Sequence, residues 1–123
     1  MTGGGSVFQG SRVTHGFELH CDISLPNNLE INWEGNRFHL TQLDSATCSD
    51  DSNISEEQPV AGFDTFVGSG VGRLNGVDGA TIDFKLTDAG EPGGGVDRAE
   101  FSIGMVLAVA GPLDKGNHQA HPE

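Results

Sequence analysis

Side chains suited to a core fall at every second position in five stretches of this chain, and that alternation constrains the fold more than any other feature. Val13, His15, Phe17, Leu19, Cys21 and Ile23 share one face of the first stretch, opposite Thr14, Gly16, Glu18, His20 and Asp22. Leu29, Ile31 and Trp33 repeat the pattern, as do Phe63, Thr65, Val67, Ser69 and Val71. So do Ala80, Ile82, Phe84 and Leu86, and then Ala99, Phe101, Ile103 and Met105. A period of two places alternate side chains on opposite faces of an extended chain, so each stretch reads as a half-buried strand. No window shows the 3.6-residue period of an amphipathic helix.

The segments between the strands carry turn chemistry. Leu25-Pro26-Asn27-Asn28 is a turn, and Glu34-Gly35-Asn36-Arg37 is a tight hairpin that returns through Phe38 and Leu40. Asn75-Gly76-Val77-Asp78-Gly79 is a strong hairpin signal. Gly-rich residues 88–96 turn around Pro92, Gly111-Pro112 breaks the last apolar run, and a short strand is expected from Gly116 to His121. Gly68, Gly70 and Gly72 strip one face of their strand, which usually means close approach of a neighbour, a bulge or a bend. Residues 49–59, with Asp50, Asp51, Glu56 and Glu57, read as a solvated acidic loop. The expected architecture is all-β: one antiparallel β-sandwich over residues 1–123, jelly-roll or immunoglobulin-like, with about seven to nine short strands.

Composition narrows the class. A chain of 123 residues is the size of one domain, and its seven Phe and one Trp can supply a core. Six basic against 18 acidic residues give a net charge of −12. That balance argues against nucleic-acid binding, which depends on Lys and Arg neutralising phosphate. It argues equally against docking on an anionic membrane. No apolar stretch reaches the roughly 18 residues of a transmembrane helix. Residues 1–6 carry no charged or apolar run of a signal peptide, so a mature secreted form or a piece of a longer chain is expected. Cys21 and Cys48 lack metal-ligand spacing and are expected to form one disulfide, which suits an extracellular or cell-surface location.

Candidate chemistry is thin. His118 and His121 are three residues apart and His15 and His20 five apart, so on a strand each pair splits between faces. His15 is therefore expected as a hydrogen-bonded core residue, and His118 on a surface strand. No cofactor is expected. Calcium is the better metal candidate, because it takes oxygen ligands from loops. Asp88, Glu91 and Asp97 could supply them, or Asp50, Asp51 and Asn53, though neither set matches an EF-hand loop. A solvated acidic loop is the simpler expectation. Gly68-Ser69-Gly70-Val71-Gly72 has neither the spacing of a nucleotide loop nor that of a nucleophile elbow. No catalytic residues are expected. Trp33 could offer a sugar-stacking platform, but its alternation with Leu29 and Ile31 favours the core. Asn53-Ile54-Ser55 fits a glycosylation sequon.

The segments Thr2 to Ser6 and Arg12 to Asp22 resemble an uncharacterised module of bacterial secreted and cell-surface proteins, sometimes labelled a post-COAP domain. Asn28 to Leu40, Phe66 to Asn75, Thr87 to Gly93 and Gly116 to His121 extend the resemblance over nearly the whole chain. It implies an extracellular, non-catalytic β module and brings no known active site.

The function expected is that of a non-enzymatic structural or assembly module, working through copies of itself or neighbouring surface domains. It could be the repeating subunit of a bacterial surface filament built by β-strand addition. The termini are the candidate assembly elements: Gly3, Gly4, Gly5, Ser6, Val7 and Phe8 at one end, and Asn117, His118, Gln119, Ala120 and His121 at the other. Residues 1–8 and 116–123 are thus expected as edge or exchanged strands. The alternative is a glycan- or calcium-binding adhesion module of a larger surface protein.

Overall fold

The structure, a computed structural model, describes residues 1–51, 54, 62–90 and 94–121. Among them run nine strands: β1 (Thr2–Gln9), β2 (Ser11–Glu18), β3 (Asn28–Trp33), β4 (Asn36–Ser49), β5 (Thr65–Leu74), β6 (Val77–Thr87), β7 (Arg98–Ile103), β8 (Leu107–Pro112) and β9 (Lys115–Gln119). The described residues contain no helix. All strands pair antiparallel in a single sheet of order β8-β7-β6-β5-β4-β3-β2-β1-β9.

The expected two-sheet sandwich is not confirmed. From β1 to β8 every strand pairs with its chain neighbour, so the Greek-key crossover of a jelly-roll or immunoglobulin-like fold is missing. The long middle strands explain how one sheet can still enclose a core. β4, β5 and β6 span 14, 10 and 11 residues. Register shifts fall at Leu40/Gln42 and Leu43/Ser45 between β4 and β5, and at Gly72/Arg73 between β5 and β6. Such irregularities bend a strand and increase its twist, and here they curl the sheet. The second half of β1 comes to lie against β8, where Ala110 N donates to Gln9 Oε1 at 3.4 Å. One turn later Asp114 N donates to Ser6 O at 2.7 Å, and the chain enters β9.

The inner face follows the alternation for most strands. Val13, His15 and Phe17 on β2 are buried, as are Leu29, Ile31 and Trp33 on β3, Ile82, Phe84 and Leu86 on β6, and Ala99, Phe101 and Ile103 on β7. β5 is the exception. Its inward residues are Phe66 and the three glycines, while Val67 is 44% exposed on the outside. The stripped face is thus the core face. A Cβ at Gly68 would strike the Phe84 ring, and one at Gly72 would stand 2.7 Å from Phe38 Cζ. Neighbouring aromatic rings fill the space those glycines leave.

Two hairpins have the expected turns. Glu34 (φ 45°) and Gly35 (φ 80°) link Trp33 to Asn36, and Asn75 (φ 53°) and Gly76 (φ 84°) link Leu74 to Val77. Positive φ at both central residues is the turn that matches the twist of a hairpin. All four short hairpin turns lie at one end of the sheet. The longer connections, after β2, β4 and β6, leave and re-enter the sheet at the other. There the disulfide Cys21–Cys48, with Cα atoms 6.0 Å apart, ties the β2–β3 connection to the end of β4.

Candidate functional site

The terminal strands were expected at edges or in exchange; the structure brings them together. β1 runs between β2 and β9, and β9 pairs Thr2↔Gln119 through Ser6↔Lys115. The contact is almost pure backbone. Gly5 pairs with Gly116, and a Cβ on Gly116 would strike Gly4 O and Gly5 Cα. Gly116 also has φ +108°, which an L side chain rarely adopts. A Cβ on Gly5 would strike Lys115 O, and one on Gly4 would lie 2.8 Å from His15 O. The N-terminal glycine run is therefore a close-packing device, which a stripped sequence segment does not distinguish from a loose tail.

Behind this seam sits a ring cluster. His15 from β2 and His118 from β9 point inward, with His118 at 0% exposure rather than on a surface strand. Their Nε2 atoms are 2.7 Å apart. His118 Nδ1 lies 2.9 Å from Thr87 O on β6. A carbonyl only accepts, so His118 Nδ1 carries the proton and its Nε2 is a bare acceptor. His15 Nε2 must then donate to it, leaving His15 Nδ1 bare, and that atom is buried with no hydrogen-bond partner. Phe101 packs 5.1 Å from the His15 ring and Phe17 5.0 Å from the His118 ring. Burial, then the neighbouring His118, depress His15 to about 3. Burial depresses His118 to about 4, against an opposing contribution from the Thr87 carbonyl. Both rings are neutral near pH 7. Sequence spacing paired His15 with His20 and His118 with His121, and could not reveal a partnership across 103 residues. His121 instead meets Thr2 Oγ1 at 2.8 Å.

This pair makes stability sensitive to acid. Both folded pKa values lie below the ordinary 6.5. Below about pH 6.5 the unfolded chain therefore binds more protons than the folded one. The stabilisation is complete above that pH and is lost as pH falls toward the folded values. Each histidine contributes a slope of about 1.4 kcal/mol per pH unit inside the window. Chemical denaturation between pH 7.5 and 5 should show this steep loss, and His15→Phe should flatten it. An unchanged slope in the variant would contradict the assignment.

The acidic candidates mostly serve the backbone. Asp97 is fully buried; its Oδ1 accepts from Ala89 N (2.6 Å) and Gly90 N (3.2 Å), and its Oδ2 from His118 N (2.7 Å). Asp88 Oδ2 accepts from Ala120 N at 2.9 Å. Asp88 and Asp97 thus cover the amides of His118 on β9 and of Ala120 just beyond it, which would otherwise lie at an open edge. Glu91 and Asn53 lie outside the described residues. Asp50 and Asp51 follow the end of β4, where Asp51 N donates at 2.9 Å to Oδ1 of Asp64, a buried residue outside both expected calcium sets. Trp33 is 7% exposed and belongs to the core. Ser69 shares a 2.5 Å hydrogen bond with Ser45 Oγ, away from any histidine bond.

Fold and site together define an antiparallel β module whose curled sheet encloses a core filled by side chains, cross-linked by one disulfide. The chain matches no known protein-family model, no curated protein and no solved structure.

Proposed function

We propose that this chain is a non-enzymatic extracellular structural module that assembles with copies of itself, as the repeating unit of a bacterial surface filament, by exchange of β1. One observation carries the reading: β1 is clasped between β2 and β9 through main-chain contacts at Gly3–Gly5 and Gly116. A slot that recognises backbone and excludes side chains would accept the identical strand of a second copy equally well. The hinge is Gly10 alone, at φ +82°, between the paired residues Gln9 and Ser11. Such a short hinge favours exchange over closure when copies are concentrated. The disulfide supports an oxidising, extracellular-like setting.

The glycan-binding alternative loses its aromatic platform with Trp33 in the core. Catalysis has no support in the histidine pair, whose rings face each other and Thr87 away from solvent. A charge of −12 on every copy opposes close contact, so association should strengthen with salt. Light scattering and electron microscopy of the purified chain across ionic strengths should show multimers that dissociate as salt is removed. A monodisperse monomer at high concentration and at every salt level would overturn the proposal.

A further inference from the structure

His118 ties β9 to three other parts of the fold. Its N donates to Asp97 Oδ2 at 2.7 Å, its Nδ1 donates to Thr87 O at 2.9 Å, and its Nε2 accepts from His15 Nε2 at 2.7 Å. The rest of β9 is weakly held. It is an edge strand of 5 residues with β1 as its ladder partner, and His118 is its one buried residue. β2 is paired on both sides, so His15 is fixed in the sheet. The bond between the rings exists in one protonation state only. A proton added to His118 Nε2 would set two N–H groups against each other. A proton added to His15 Nδ1 would bury a new N–H with no acceptor. The surroundings offer little compensation. Phe17 on β2 and Phe101 on β7 pack on the rings, Ile31 pairs with His15 from β3, and β1 meets the pair with Gly3 and Gly5. Asp97 bonds the main chain of His118, and its oxygens already accept three amides, so it serves as a backbone acceptor and not as a metal ligand. Asp88 is bonded to Ala120 N, His121 to Thr2 Oγ1, and the N-terminal ammonium to Leu19 O.

We propose that the His15–His118 bond is an acid-operated latch: protonation parts the rings, frees β9 from β1 and opens the slot that clasps β1. The strand that moves is β9, because His15 is held from both sides and His118 is not. Burial, the first cause for each ring, keeps both from taking a proton while the latch is closed. Opening exposes them to water and lets the proton in, so acid shifts the population toward the open form. Acid weakens the whole fold, and the latch sets where it gives way first. With β9 released, β1 is held by β2 alone. Acid then promotes exchange of β1, and a return to neutral pH closes β9 over whichever β1 fills the slot. This last link rests on the assembly reading above; the latch itself does not.

The test is hydrogen–deuterium exchange of the full chain at pH 7.5 and 5, read by mass spectrometry on dilute protein and corrected for the intrinsic pH dependence of exchange. Amides of β9 should lose at least about 30-fold in protection, since each pH unit below the ordinary histidine value of about 6.5 is a factor of ten per proton taken up. Amides of β4 and β5 should stay protected at pH 5. His15→Gln should hold β9 closed at both pH values, because a side-chain amide can donate to a neutral His118 and, turned over, accept from a charged one. His121→Gln, at the Thr2 contact, should respond to acid as the wild type does. The wild-type comparison decides the matter even if His15→Gln fails to fold. Equal β9 protection at both pH values would overturn the latch. So would β9, β4 and β5 losing protection together, or a response abolished by His121→Gln and kept by His15→Gln. Assembly is read separately, by light scattering on concentrated protein in salt, with and without an intervening step at pH 5. The acid step should raise the multimer fraction severalfold. Multimers that form equally without it would overturn the gating and leave the assembly reading. Opening of β9 in acid with a monomer throughout would uphold the latch and contradict the assembly reading.

Discussion

Gly72→Val is expected to destabilise the protein by on the order of 3 kcal/mol, at the upper end of the cost of overpacking a core. The position faces inward in the middle of the curled sheet. A Cβ there would strike His39 O, approach the His39 carbonyl carbon at 2.9 Å and meet Phe38 Cζ at 2.7 Å. The first two contacts are with backbone of the paired strand β4, which cannot swing away as a flexible side chain can. Phe38 is itself fully buried, so its ring has nowhere to retreat. Gly16→Ala is the matched control: nothing lies within 4 Å of its Cβ position, and its φ is ordinary. It should be neutral or stabilise by about 0.4–1 kcal/mol through the unfolded chain. Urea denaturation of the two variants measures the difference. Equal effects would mean that the rings do not occupy the glycine face.

Loss of the disulfide should cost about as much. Cys21 and Cys48 close a loop with a sequence separation of 27, which corresponds to about 3–4 kcal/mol in the loop-entropy account. The bond matters beyond entropy, because it holds the 19–27 connection against the end of β4. A Cys21→Ala/Cys48→Ala chain should therefore melt on the order of 10 °C lower. Adding reductant to it should change nothing further, whereas reductant should lower the wild type to the same midpoint. A wild type indifferent to reductant would contradict the structural role of the bond.

How much of this was legible in the sequence depends on the range of the interaction. Alternation along β2, β3, β6 and β7 places their core residues correctly, because a period of two is a local property of the chain. The Asn75-Gly76 turn is equally local. β5 misleads for a physical reason. Its outward positions hold Val67 and Val71 while its inward ones hold glycine, so hydrophobicity alone assigns the faces backwards. The core volume there comes from Phe38 and Phe84 on adjacent strands. The choice between two sheets and one curled sheet rests on bulges at Leu40/Gln42, Leu43/Ser45 and Gly72/Arg73, and no residue type announces them. His15 and His118 become partners only because β9 joins the sheet beside β1, across 103 residues of chain. The Cys21–Cys48 bond could be inferred because only two cysteines exist to pair.

The proposed self-assembly acts through β1 and the slot between β2 and β9 that clasps it. Ser6 and Thr14 are paired residues on β1 and β2, separated from the Gly10 hinge by the pairs Val7↔Val13, Phe8↔Arg12 and Gln9↔Ser11. A Ser6→Cys/Thr14→Cys chain, oxidised at high concentration and salt, will cross-link whichever β1 lies beside each β2. A non-reducing denaturing gel then reads the connectivity directly. Exchange of β1 between copies predicts a ladder of covalent multimers that collapses to monomer on reduction. A single monomer band, from protein that scatters light as a multimer or not, would show that each β1 stays in its own chain and would contradict the account.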